Sequence, residues 1–235
     1  MSVVEAKNRV PELLTTENAT AFLESSIYTR PGLRGCHAYV LPEIVRQCKN
    51  LKPGARVLDV GCGNGALAAE FSRSGYRVTG IDMASRGIEI ARANCPEGRF
   101  EVLPADHQLL ERLAEEPFDL VYSIEVIEHL YDPKNFLHGC YLATKPSGMF
   151  LCSTPYHGYL KNLAISLVNG WDSHANPQFD GGHIKFYSKR TFASAVANVG
   201  FTNLSIIGSG RLPYLWKSMM LKANRPGASD AEGKI

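Results

Sequence analysis

Between residues 55 and 71 the chain runs from an apolar stretch, Ala55-Arg56-Val57-Leu58, through Asp59-Val60-Gly61-Cys62-Gly63-Asn64-Gly65, and into Ala66-Leu67-Ala68-Ala69-Glu70-Phe71. A short buried strand, a turn holding three glycines and a helix in immediate succession open a nucleotide-binding βαβ unit. The glycines allow a tight turn and leave bare peptide for a ligand to lie against. The helix beyond them offers unpaired N–H groups and the positive end of its dipole. The pattern then repeats: strand 55–60, helix 65–74, strand 76–82, helix 85–95, strand 99–103, helix 107–115, strand 118–124, helix 133–143 and strand 147–153. Strands separated by helical runs predict an α/β fold with a parallel sheet and crossover helices. Ligands of such sheets bind beyond the strand C-termini.

Two acids at strand ends narrow the ligand. Gly61, Gly63 and Ala66 satisfy the dinucleotide pattern G-x-G-x-x-G/A, but Asp59 at the tip of the same strand would repel a pyrophosphate. It suits a ligand with positive charge there. S-adenosylmethionine (SAM) carries an ammonium and a sulfonium and no phosphate. The next strand, Tyr76-Arg77-Val78-Thr79-Gly80-Ile81-Asp82, ends in an acid 17 positions after Gly65. Such an acid can accept hydrogen bonds from both ribose hydroxyls. The alternative is that Asp82 caps the helix that follows Met83-Ala84-Ser85.

With VLDVGCGNG (57–65), GIDM (80–83), Pro104-Ala105-Asp106 and FDLVYSIEVIEHL (118–130), the chain resembles the class I SAM-dependent methyltransferases across most of residues 52–155. The resemblance implies a Rossmann-like seven-stranded sheet with helices on both faces, a last strand near 214–222 running antiparallel, an N-terminal helical segment and an insertion after the fifth strand. It implies that Asp59, Gly61, Cys62, Gly63, Asn64, Gly65, Asp82, Met83, Ala105, Asp106, His107 and Glu125 line the cofactor. Asp106 would accept from the adenine amino group, flanked by the Ala105–His107 backbone. It could equally cap helix 107–115.

Ile124-Glu125-Val126-Ile127-Glu128-His129 follows the fourth strand. If the chain coils there, Glu125, Glu128 and His129 stand at i, i+3 and i+4 on one face. Two carboxylates and an imidazole at a cleft call for a positive partner, and a divalent cation supplies one. The other reading leaves His129 alone as general base, since an ordinary imidazole titrates near the working pH (about 6.5). Here the chain resembles two metal-using groups. The ubiquinone-biosynthesis O-methyltransferases combine E-x-x-E-H with an insertion linked to membrane association. The small-RNA 3′-terminal 2′-O-methyltransferases add a later histidine, matched here by His183 in Gly182-His183-Ile184-Lys185-Phe186. The expected metal set is Glu125, Glu128, His129 and His183, for Mg²⁺, Mn²⁺ or Zn²⁺, with Glu128 and His129 catalytic. His157 and His174 read as surface residues.

The remaining chain frames this site. One methyltransferase domain is expected over 1–223, with a helical and lid segment 1–50 in which Tyr28 and Arg30 are lid candidates, and a disordered tail 224–235. His37 to Asn50 reads as a helix. The insertion 154–189 holds an apolar helix at 158–169, readable as substrate lid, membrane-surface contact through 156–171, or core packing. Helix 189–199 and strand 202–208 follow. With no long apolar run and no charged-then-apolar N-terminus, a cytoplasmic chain, peripheral to a membrane at most, is expected. Six dispersed cysteines without C-x-x-C read as free thiols. A net charge of +2 and few basic residues in the insertion argue against nucleic acid. The expected activity is methyl transfer from SAM to a hydroxyl of a small molecule such as a catechol, diol or hydroxylated ring. The competing readings are 2′-O-methylation of an RNA 3′ end, metal-free N- or C-methylation through His129, and non-catalytic SAM binding.

Overall fold

The computed structural model describes residues 37–175 and 181–227. Tyr28, Arg30 and residues 1–36 lie outside the described residues.

The strands are β1 (Arg56–Val60), β2 (Arg77–Asp82), β3 (Arg99–Val102), β4 (Phe118–Ile124), β5 (Thr144–Pro155), β6 (Thr202–Ser209) and β7 (Ser218–Asn224). They form a seven-stranded sheet in the order β3-β2-β1-β4-β5-β7-β6. The first five strands pair in parallel, and β7 runs antiparallel to both β5 and β6. Among the described residues the α-helices are α1 (His37–Cys48), α2 (Ala66–Arg73), α3 (Ser85–Asn94), α4 (Leu109–Leu113), α5 (Pro133–Ala143), α6 (Tyr159–Leu167), α7 (Trp171–His174) and α8 (Lys189–Ala197). Among the described residues no helix is long and apolar enough to cross a membrane.

The central strands are apolar on both faces because both are covered. Leu58, Val60, Val121, Phe150 and Cys152 pack with Phe136 of α5 and Phe192 and Val196 of α8. Their neighbours in sequence, Val57, Leu120, Tyr122 and Leu151, point the other way, into Val40 and Ile44 of α1, Leu67 and Phe71 of α2 and Ile88 of α3. This is the period-2 alternation of a strand read twice, once for each layer.

Three expectations change. The helix expected over 107–115 shrinks to Leu109–Leu113, because Asp106, His107 and Gln108 form the turn that precedes it. The last strand begins at Ser218 rather than 214. The start of the supposed tail is ordered: Asn224 pairs in β7, and the Arg225 guanidinium donates to the carbonyls of Tyr141, Leu142 and Thr144 at 3.2, 3.1 and 2.8 Å.

Candidate active site

The strand order reverses between β1 and β4, so the crevice that binds ligands opens at their C-terminal ends. Gly61, Gly63 and Gly65 close β1 with φ of +82°, +53° and +69°, a region side chains resist. Close approach adds a second constraint. A Cβ at Gly61 would sit 2.5 Å from Val126 Cγ2 beyond β4, and one at Gly65 would sit 2.8 Å from the Ala91 Cα of α3. The loop is held from below: Gly61 N and Cys62 N both donate to Ile81 O, at 2.8 and 2.9 Å. Cys62 and Asn64 are buried, and Asn64 Oδ1 accepts from Ala66 N at the start of α2.

Asp82 is occupied on both oxygens. Oδ2 accepts from Gly63 N at 2.8 Å and Oδ1 from Ala84 N at 2.8 Å, so it ties the glycine loop to the start of α3. Met83 beside it is exposed, as is Val102, the strand partner of Asp82 on β3. Asp106 forms an ion pair with Arg112 at 2.8 Å and accepts from Gln108 N. Burial pulls its carboxyl up, but these donors outweigh that and hold it below the usual range. His107 bonds Asn135 through its backbone N–H and Nδ1, and Ala105 packs against the core. A glycine at 139 lets α5 run against the Asp106 carbonyl.

Asp59 lies buried rather than at an open tip. Its Oδ2 accepts from Tyr122 Oη at 2.7 Å, and the Tyr122 ring stacks on Phe71 with centroids 4.9 Å apart. Burial is the main cause that lifts this carboxyl to about 7; the Tyr122 bond opposes it and the Asp82 charge adds to it. The folded chain therefore keeps a proton there that the unfolded chain loses near pH 4, and stability falls between about pH 4 and 7. Asp59→Asn is expected to gain stability relative to the parent across that window, approaching at most about 4 kcal/mol at pH 8 and nothing at pH 4. Thermal melts of the SAM-free proteins at the two pH values test this. A pH-independent difference would show that the carboxyl ionises freely in the fold.

The E-x-x-E-H segment does not coil as one helical face. Glu125 takes φ +55°, and only Ile127–His129 forms a 3₁₀ turn. The turn swings Glu125 toward the last strands, where its Oε1 accepts from Ser153 Oγ at 2.8 Å and Ser218 Oγ at 2.6 Å. Glu125 therefore stands outside the cluster that unites the other three expected ligands. In that cluster the ligand atoms of Glu128, His129 and His183 all lie within 4.8 Å of one another. His129 Nε2 is 3.8 Å and His183 Nε2 4.0 Å from Glu128 Oε1.

Glu128 has no exposed surface, and neither carboxylate oxygen has a hydrogen-bond partner among the described residues. Thr154 Oγ1 is buried too and forms no full hydrogen bond, but its hydroxyl favours the Glu128 carboxylate slightly. Burial above all, and then the Glu125 charge, push the Glu128 carboxyl well above the ordinary range. Its backbone carbonyl takes Ile184 N and Lys185 N at 2.9 and 3.0 Å, which clamps the 181–187 segment over the turn and brings His183 in. His129 Nδ1 lies 3.1 Å from Gly182 O. A carbonyl can only accept, so Nδ1 donates to Gly182 and Nε2 is the nitrogen turned toward Glu128, the orientation a metal-binding histidine uses.

Beside this cluster lies a cavity of about 840 Å³ whose walls include Glu125, His174 and His183, with Lys161, Ala164 and Ile165 from α6. His157 is not a surface residue. It is buried against Phe186 and His174, with ring centroids 4.8 and 5.3 Å away, and burial lowers it to about 4.

A methyltransferase-domain family matches residues 34–206. A ubiquinone biosynthesis O-methyltransferase of Methylobacterium sp. (strain 4-46) is 30% identical over 197 residues, covering 74% of each chain. The chain belongs to the class I SAM-dependent methyltransferases. Another ubiquinone biosynthesis O-methyltransferase, of Alkalilimnicola ehrlichii, is 42% identical over 116 residues, 48% of this chain and 46% of the relative. This methyltransferase thus spans about half the length of the first curated relatives it matches. Among solved structures, the magnesium protoporphyrin IX methyltransferase of Synechocystis PCC 6803 with bound SAH superposes with a TM-score of 0.64 at 17% identity. The match covers 90% of this chain and all of that one, and it is a likeness of fold.

Ser153, Ser218 and the Gly182 carbonyl, which position Glu125 and His129, were not among the expected site residues. Ser218 is 93 positions from Glu125, and no local pattern marks it.

Proposed function

We propose that this methyltransferase moves the SAM methyl group to a hydroxyl of a small molecule seated in the cavity, with a divalent cation held by Glu128, His129 and His183. The observation that carries this reading is Glu128: a fully buried carboxylate with two unpartnered oxygens, faced by two imidazole nitrogens. Such a group is costly unless something positive completes it. The names of the relatives, O-methyltransferases of ubiquinone biosynthesis, support a hydroxyl acceptor.

The glycine loop and the strand-end acids would receive SAM. Gly61 and Gly63 leave room for close approach, Asp82 retains lone pairs for the ribose hydroxyls, and Met83 and Val102 offer apolar surface to the base. A bound cation would lower the pKa of a coordinated acceptor hydroxyl and fix its place. The chain itself aligns the acceptor with the sulfonium, excludes water and holds His129 in one tautomer through Gly182. Glu125, anchored by two serines, forms the wall between the methyl donor and the cavity.

The deciding experiment is titration of SAM into chelator-stripped protein, with elemental analysis of the untreated sample. SAM binding and about one divalent ion per chain, lost in His183→Ala, is the expected result. SAM binding with no ion present and none taken up would overturn the metal and leave His129 as the base.

A further inference from the structure

Helix α6 is inside out. Its exposed positions include the large apolar residues Tyr159, Leu160, Leu163 and Leu167, while its one buried residue is Lys161. Burying an ammonium is expensive and exposing leucines gains nothing, so local preference runs against this orientation. The helix end makes it worse. Lys161 sits in the first turn, at the positive end of the dipole, with no acidic residue in that turn.

The cavity explains where the lysine goes. Lys161, Ala164 and Ile165, spaced i, i+3 and i+4, form the α6 wall of the 840 Å³ cavity. Arg211 and Lys217 line the same cavity from the segment before β7. Lys161 and Arg211 each make no hydrogen bond or ion pair with a described residue. Among the described residues the Lys217 ammonium reaches only the Tyr39 ring, 5.4 Å from its centroid. Glu125 is the single acid among the lining residues; its charge acts on Lys161 from beyond ion-pair distance, and its Oε1 accepts from Ser153 and Ser218.

We propose that the acceptor carries an anionic oxygen group, a carboxylate or a phosphate, and that Lys161 with Arg211 binds it at the α6 wall while the hydroxyl to be methylated lies toward Glu128 and His183. The inference rests on the hydroxyl-methylation reading and names its substrate class. An anion there neutralises the buried ammonium and answers the helix dipole. It also relieves the crowding of like charges: burial first, and Arg211 second, lower the Lys161 ammonium to about 8, and the Glu125 charge offsets only part of this. The two ends of the cavity then impose a direction on the acceptor, since its anionic group and its reacting hydroxyl cannot exchange places.

Two measurements test this and separate it from the hydroxyl-methylation reading. In the first, S-adenosylhomocysteine-loaded protein is titrated with benzoate and with phenyl phosphate. At least one should bind, weaken about tenfold in Lys161→Met, and recover in Lys161→Arg. The stronger of the two identifies the anion. In the second, the ratio of kcat/KM for 3,4-dihydroxybenzoate to that for catechol is compared between parent and variants. The ratio should favour the carboxylate and fall about tenfold in Lys161→Met, with a smaller fall in Arg211→Ala, whose exposed side chain puts no fold at risk. Failure of both anions to bind, or binding and ratio unchanged in Lys161→Met and Arg211→Ala, overturns the proposal. Lysine-dependent anion binding without turnover of either phenol upholds the anion site and overturns the hydroxyl reading alone.

Discussion

Replacing Glu128 by glutamine is expected to cut turnover about a hundredfold or more, leave SAM affinity within about threefold, and raise the melting temperature of the chelated protein. The first two effects follow from position. Glu128 lies among His129 and His183 rather than in the glycine loop, so removing its charge would remove a ligand of the proposed cation and leave the glycine loop intact. The third follows from burial. Both oxygens lack partners in a site with no solvent exposure, so at neutral pH the carboxylate opposes folding unless a cation joins it. Glutamine keeps the shape and drops the charge, for a gain of about 1–3 kcal/mol in chelator. Adding metal should reverse the order, because only the parent gains from binding. Melts of both proteins with and without chelator, alongside turnover and SAM titration, check all three effects. Equal loss of activity and SAM affinity, or a drop in melting temperature under chelator, would show Glu128 to be a structural carboxylate.

Asp82→Ala is expected to weaken SAM binding about a hundredfold. The structure puts two effects in that number. The carboxylate would offer its remaining lone pairs to the ribose hydroxyls in the proposed SAM complex, and it also accepts from Gly63 N and Ala84 N at 2.8 Å. A deoxyribose analogue of S-adenosylhomocysteine separates them. If Asp82 contacts the hydroxyls, the parent should prefer the full ribose about tenfold or more and the variant should show no preference. A variant that binds weakly but keeps the preference would assign Asp82 to loop support. Unchanged affinity would refute both roles.

The contrast between these residues shows which parts of the molecule are legible in sequence. Asp82 and the glycines could be read from a short window, because strand, turn and helix follow one another without interruption. The same holds for β4 and α5, bounded by the break at Glu125 and by Asp132-Pro133, where Asp132 Oδ1 accepts from Asn135 N and caps the helix. Glu125 could not be read that way. A positive φ at a non-glycine residue has no local signature, and it depends on Ser153 and Ser218 to hold the side chain. Lys161 was hidden for the opposite reason. One lysine in an apolar helix reads as the residue that stays in water, whereas here a cavity in the tertiary structure reverses the faces. His157 went the same way, since its burial comes from Trp171, His174 and Phe186, all set in place by the 154–189 insertion.

The sheet order has a consequence for how the enzyme is made. Strand β6 borders only β7, and β7 is the last strand of the described residues, so β6 leaves the ribosome before any partner for it exists. When β7 follows, it pairs with β5 and β6 on either side and brings Ser218 to Glu125 and to the Thr154 carbonyl. The cores on both faces of β1 and β4 include β7 residues, Met219 and Leu221 on one side and Met220 on the other, so they too are completed only when β7 arrives. The anchor of Glu125 is complete only when residue 218 has been synthesised and folded back. A nascent chain halted before β7 would therefore lack the Ser218 hydroxyl that holds Glu125 in place.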